Sequence, residues 1–124
     1  MPIRTTILAA TLGALLAMPA IAADRHGSWS GKAGHTARGS VSVVENGGSH
    51  SIILSGDWSV NRAPDPYIAF GSANTYAAST AFKRIRASGG QSVKVPSSID
   101  PDDYSHAWVW CRRFNVPLAV ARLR

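Results

Sequence analysis

The chain has 124 residues and carries 13 Lys+Arg against 7 Asp+Glu, for a net charge of +6. A chain of this length builds one domain around a modest core, which argues against a multidomain enzyme. Its single cysteine, Cys111, excludes a disulfide within the chain.

The first segment has the three parts of a secretory signal. Arg4 supplies a positive start, residues 7–18 (ILAATLGALLAM) form a short apolar run, and Pro19 precedes Ala20-Ile21-Ala22, a cleavage site of the small-x-small kind. A membrane-spanning helix needs about 20 apolar residues, and here Asp24 and Arg25 follow the run directly. Residues 1–22 are therefore expected to be a signal peptide removed before Ala23, leaving no transmembrane segment. There is no twin-Arg pair and no cysteine near the cleavage site, so a general secretory route without a lipid anchor is expected. The product is expected to be periplasmic or secreted, with no nucleic acid as partner. The basic excess then favours an anionic envelope surface or an acidic protein, or merely aids solubility.

Residues 23–34 are polar and glycine-rich, and a flexible N-terminal segment is expected there. From residue 35 the pattern changes. Residues 40–44 (SVSVV) alternate, residues 51–54 (SIIL) form a short apolar run, and the Glu45-Asn46-Gly47-Gly48-Ser49 turn joins them as a hairpin. The prolines of Asn61-Arg62-Ala63-Pro64-Asp65-Pro66 cannot continue a central strand, and residues 67–70 (YIAF) are the next strand candidate. Residues 73–86 are rich in alanine but lack an apolar stripe at helical spacing, so a loop with a short element is expected. Residues 92–95 (SVKV) form a strand ended by Pro96, residues 97–103 an acidic turn, and residues 107–114 (AWVWCRRF) and 118–123 (LAVARL) the closing strands. Short strands separated by Gly, Pro, Asn and Asp predict an all-β fold, a single antiparallel β-sandwich or barrel-like domain over residues 35–124.

Alternation along residues 107–112 puts Ala107, Val109 and Cys111 on one face and Trp108, Trp110 and Arg112 on the other. Apolar residues on both faces predict a central strand with Cys111 turned into the core. There it is either a small inert hydrophobe or, in an exported protein, a reactive thiol, an intermolecular bridge or a ligand. Arg112 and Arg113 would favour a thiolate if the sulfur lay near the surface. His26, His35, His50 and His106 are candidate partners, but no pair has metal-motif spacing. His106 falls on the face opposite Cys111, and His35 is expected to begin a strand. The tryptophans pack or form an aromatic platform. No Ser-His-Asp set, phosphate-binding loop or hydrolytic carboxylate pair is present, so a redox or binding domain is expected rather than a stand-alone enzyme.

The stretch Tyr104-Ser105-His106-Ala107-Trp108-Val109-Trp110-Cys111-Arg112-Arg113-Phe114-Asn115-Val116-Pro117-Leu118-Ala119-Val120-Ala121 resembles the closing signature of the DM13 domain family. Its specific part is the strand with Trp-Cys, a basic residue and Phe. Gly34-His35 with Gly39, Ser55-Gly56-Asp57-Trp58, Pro64-Asp65-Pro66-Tyr67-Ile68, and Gly89-Gly90-Gln91 with Val93 and Val95-Pro96 follow the family's order. The resemblance runs from about Gly31 to Leu123, with Ala63 and Trp58 where the family commonly has Gly and Phe. It implies a β-sandwich-like extracytoplasmic domain taking part in electron transfer with a redox partner protein. The family cysteine, here Cys111, would act as a redox thiol or anchor a prosthetic group such as haem, with His35 as a second participant. The rival expectation is a non-catalytic module that binds an envelope polymer or partner protein, with Cys111 structural.

Overall fold

A computed structural model describes residues 24–124; the expected signal peptide lies outside the described residues. The fold is all-β, with strands β1 (Arg25–Ser28), β2 (Ser30–Gly31), β3 (Ala37–Arg38), β4 (Ser40–Asn46), β5 (Ser49–Leu54), β6 (Ser59–Val60), β7 (Pro66–Gly71), β8 (Lys83–Arg84), β9 (Gln91–Lys94), β10 (His106–Cys111) and β11 (Val116–Arg122). One antiparallel sheet has the order β1-β4-β5-β9, a second the order β2-β11-β10-β7-β8, and β3 pairs with β6. The two larger sheets face each other across one core, the sandwich-like alternative of the sequence reading. No helix among the described residues is long and apolar enough to cross a membrane.

The β4–β5 hairpin forms where expected, and its turn has a plain cause. Asn46 pairs with Ser49, so the loop is Gly47-Gly48, with φ of +61° and +85°. Positive φ at both positions twists the turn in the sense the strands require, and glycine adopts it without a Cβ clash. Residues 73–86 contribute only a 3-10 turn (Ala78–Thr80) and β8, because nothing there offers a helix an apolar stripe.

The core is the sum of the two alternations. Val41, Val43, Ile52 and Leu54 point inward from one sheet, and Ile68, Phe70, Ala107, Val109, Ala119 and Ala121 from the other, all buried. Each large aliphatic side chain removed from water contributes about 1.5–3 kcal/mol. Trp29 and Trp58 belong to the same core, ring centroids 5.1 Å apart. Trp58 Nε1 donates to the Arg86 carbonyl at 2.9 Å, whereas Trp29 Nε1 is buried with no partner among the described residues. An orphaned buried donor costs about 1–3 kcal/mol. Trp29→Phe is therefore expected to cost at least ~1 kcal/mol less in urea unfolding than Trp58→Phe; equal costs would contradict this.

The segment expected to be flexible is paired instead. Gly27 lies against the Arg122 carbonyl, where a Cβ would overlap it, and the His26 and Arg124 backbones exchange hydrogen bonds of 3.1 and 2.9 Å. Arg25 donates to the carbonyls of Pro101 and Tyr104, both at 2.9 Å. So β1 pairs with β4 along one side and with the end of the chain on the other. Its partners are remote in sequence, so glycine content alone read as looseness.

Candidate functional site around Cys111

β10 is the central strand of its sheet, flanked by β11 and β7. Cys111 is its last residue, opposite Val116 and Pro66. Its side chain joins the core with Ala107 and Val109 and is 1% exposed. Beyond it the chain turns at once into solvent: residues 112–115 are exposed, and Phe114 is 60% exposed. Two irregularities mark this end of the hairpin. The β10–β11 register shifts between Val109 and Trp110, where Pro117 enters the pairing, and Asn115 holds φ of +53°. The Asn115 side chain accepts from Trp110 Nε1 at 3.1 Å, tying the turn to the strand.

The other face of β10 is packed rather than open. Trp108 is buried and donates to the Ser72 carbonyl at 2.8 Å. Tyr76 stacks on Trp110 with centroids 3.6 Å apart, so the loop after β7 covers much of the platform. Arg112 lies over the Tyr67 ring at 5.0 Å, and Tyr67 is opposite the outward Trp110. Its guanidinium is thus spent on the outer face, across the sheet from the sulfur. Arg113 lies over Phe114 at 5.5 Å. The electrostatic help expected for a thiolate is not aimed at Cys111.

The histidines are dispersed. His35 does not begin a strand; it sits in the turn before β3, its Nδ1 2.9 Å from the Asn61 carbonyl. That turn follows β2, which is separated from β10 by β11, and no described cleft or hydrogen bond joins His35 to Cys111. His50 pairs with Glu45 at 3.5 Å. His106 is at the opposite end of β10 from Cys111, its Nδ1 2.7 Å from Ser105 Oγ. Burial first, and the Arg122 charge second, hold His106 below the usual histidine pKa. Among the described residues no group of His, Cys, Asp and Glu is arranged to hold a metal ion.

Cys111 and His35 do not fit a haem. A macrocycle needs a cavity beside the ligating sulfur, and here the sulfur is enclosed by core side chains. None of the described clefts is lined by Cys111 or His35.

A sandwich with one thiol at the end of its central strand, next to an exposed turn, defines a small β domain with a buried free cysteine. Residues 30–123 match the family described as electron transfer DM13, and the chain belongs to that family. No curated protein and no solved structure gives a match. Cys111 and its inward face are legible in the sequence, and Asn115 is not among the residues singled out there. The small polar side chain of Asn115 after Phe114 is the signal in the sequence for a left-handed turn.

Proposed function

We propose that this chain is an exported electron-transfer domain in which Cys111 is a gated thiol, hidden in the closed sandwich and reached when the β10–β11 end opens. One observation carries the reading: the only sulfur of the family signature is 1% exposed yet directly precedes an exposed turn. Thiol–disulfide exchange requires access of the attacking sulfur, so the closed fold suppresses adventitious oxidation and the open one permits reaction.

The chemistry balances without a resident cofactor. The Cys111 thiolate attacks one sulfur of a partner disulfide, the partner S–S bond breaks, and its leaving thiolate takes up a proton. One thiolate of a dithiol on a second partner attacks the Cys111 sulfur, the mixed disulfide breaks and the first partner leaves fully reduced, its thiolate taking up a proton. The second thiol then displaces Cys111 as thiolate and closes the second partner's disulfide. Two electrons pass from one thiol couple to another, and His35 has no part.

Oxidised glutathione serves as a defined disulfide. Incubated with the native protein, it is expected to add one glutathione to the wild-type chain and none to Cys111→Ala, read by intact mass. Absence of the adduct until the protein is denatured would sink the proposal. Mass of the exported protein tests the compartment: a chain starting at Ala23 is expected, and retention of residues 1–22 would contradict it.

Close packing of the sulfur favours one other reading, a binding module with a structural cysteine. In that case Cys111→Ala would leave function intact and lower only stability.

A further inference from the structure

At the opposite end of β10 from Cys111 the two sheets meet along a cleft of about 700 Å³, lined by His26, Ser28, Ser30, His106, Arg122 and Arg124 among others, and by no carboxylate side chain. The crossing of β1 builds it. Gly27 lets β1 lie on the Arg122 carbonyl, and the His26–Arg124 backbone pairing brings these two residues to the rim. His106 is the direct cross-strand neighbour of Arg122.

Four groups that are cationic or can become so thus share a concavity, and the anionic group that would stand there in a chain ending at Arg124 is the Arg124 α-carboxylate, one oxygen of which meets the His26 amide. Among the described residues the ion pairs are His50–Glu45 and Arg84–Asp65, so Arg122 and Arg124 have no acidic partner. The nearby Arg25 guanidinium is committed to backbone carbonyls. Arg124 is the last residue of the sequence, and its backbone oxygen is engaged by the His26 amide at 3.1 Å.

Both imidazoles are held by the same nitrogen. His26 Nδ1 is 2.9 Å from Ser42 Oγ, and His106 Nδ1 is 2.7 Å from Ser105 Oγ. Each ring is oriented through Nδ1, and neither Nε2 has a protein partner among the described residues. Two guanidiniums, two positioned Nε2 atoms and serine hydroxyls are the donors that a tetrahedral oxyanion accepts from.

We infer that this cleft is a phosphate-binding site, taking a phosphoryl group as the free ion or as the headgroup of a phospholipid. The anion accepts from Arg122 and Arg124 and from the two Nε2 atoms. It relieves the repulsion among them and, by its charge, favours the protonated form of His106. Burial first, and the Arg122 charge second, hold the His106 pKa below its usual value, and a bound anion would act against the second of these. Protonation of His106 adds a charge to those of the two arginines. A phosphodiester headgroup, whose single charge is constant, therefore binds more tightly as pH falls, whereas inorganic phosphate loses a charge over the same range and gains less.

The experiment uses protein purified from cells expressing the full chain, with nitrogen-15 NMR of the histidine side chains. Inorganic phosphate is titrated at constant ionic strength against chloride. Saturable shifts of His26 and His106 and a rise in the His106 pKa are expected. The exposed pair Arg122→Gln/Arg124→Gln should weaken binding by roughly tenfold or more. Vesicles of phosphatidylglycerol, compared with phosphatidylcholine, separate the sources: phosphate-competable binding to the former assigns a lipid headgroup, and phosphate shifts without vesicle binding assign the free ion. Unmoved histidines with no vesicle binding, or binding undiminished in the double variant, would overturn the inference. The histidine titration of the unmutated protein stands even if the variant fails to fold.

Discussion

Trp58→Ala is expected to bring the domain near unfolding at room temperature, at a cost of about 3–5 kcal/mol. Trp58 is 1% exposed and among the largest fully buried side chains. Its ring meets Trp29, its Nε1 holds the Arg86 carbonyl, and its backbone carbonyl accepts from Gly89 at 2.8 Å. Gly39, at φ of +91°, makes room for it: a Cβ there would come within 2.8 Å of the Trp58 backbone. The indole thus joins the β3–β6 pair, the 86–91 turn and the core. For a domain of this size 1 kcal/mol moves Tm by about 4–8 °C, so calorimetry should record a fall of at least ~12 °C. A loss of only a few degrees would mean that Trp58 is not the keystone of that end of the sandwich.

The second large effect concerns the gate. Asn115→Val is expected to raise the reactivity of Cys111 in the native protein by roughly ten- to a hundredfold. Asn115 is left-handed, a conformation that a β-branched residue adopts only at a cost of about 1–2 kcal/mol. The substitution also removes the acceptor of Trp110 Nε1, worth about 1 kcal/mol. Both losses fall on the closed hairpin end and spare the opened one. Asn115→Gly separates them, since glycine keeps the backbone and loses only the side-chain bond; its effect should be clearly smaller. Unchanged reactivity in both variants would mean that the 112–115 turn does not control access to the sulfur.

Much of the sandwich was legible because its signals are local. The Gly47-Gly48 turn, the alternation of residues 40–44 and 107–111 and the prolines bounding β7 each express a constraint within a few residues. Cys111 facing the core followed from period-two geometry and the identity of its neighbours. What was not legible depends on contacts remote in sequence. Pairing of β1 rests on Arg25 reaching residues 101 and 104 and on Gly27 fitting against Arg122. The placement of Arg112 over Tyr67, rather than beside the sulfur, required knowing that β7 lies next to β10. The family resemblance points to His35, whereas the strand order puts β11 between its neighbour β2 and β10. The phosphate cleft left no motif because its four donors come from β1, β10 and the end of the chain.

The DM13 match supplies the electron-transfer class, and the geometry narrows how a cysteine could serve it. On the proposed reading, a packed sulfur with no cavity beside it is reached by opening at the exposed turn beyond Cys111. The basic turn that follows, Arg112-Arg113-Phe114, would meet any partner approaching from that end, and its charge favours an acidic one.

The most direct test is the rate at which a neutral thiol reagent labels Cys111 as urea is raised from zero. Local opening exposes little surface, so labelling is expected to be nearly independent of urea at low concentration and faster than global unfolding allows. A rate that follows global unfolding down to zero urea would contradict the gated thiol and leave Cys111 as part of the core.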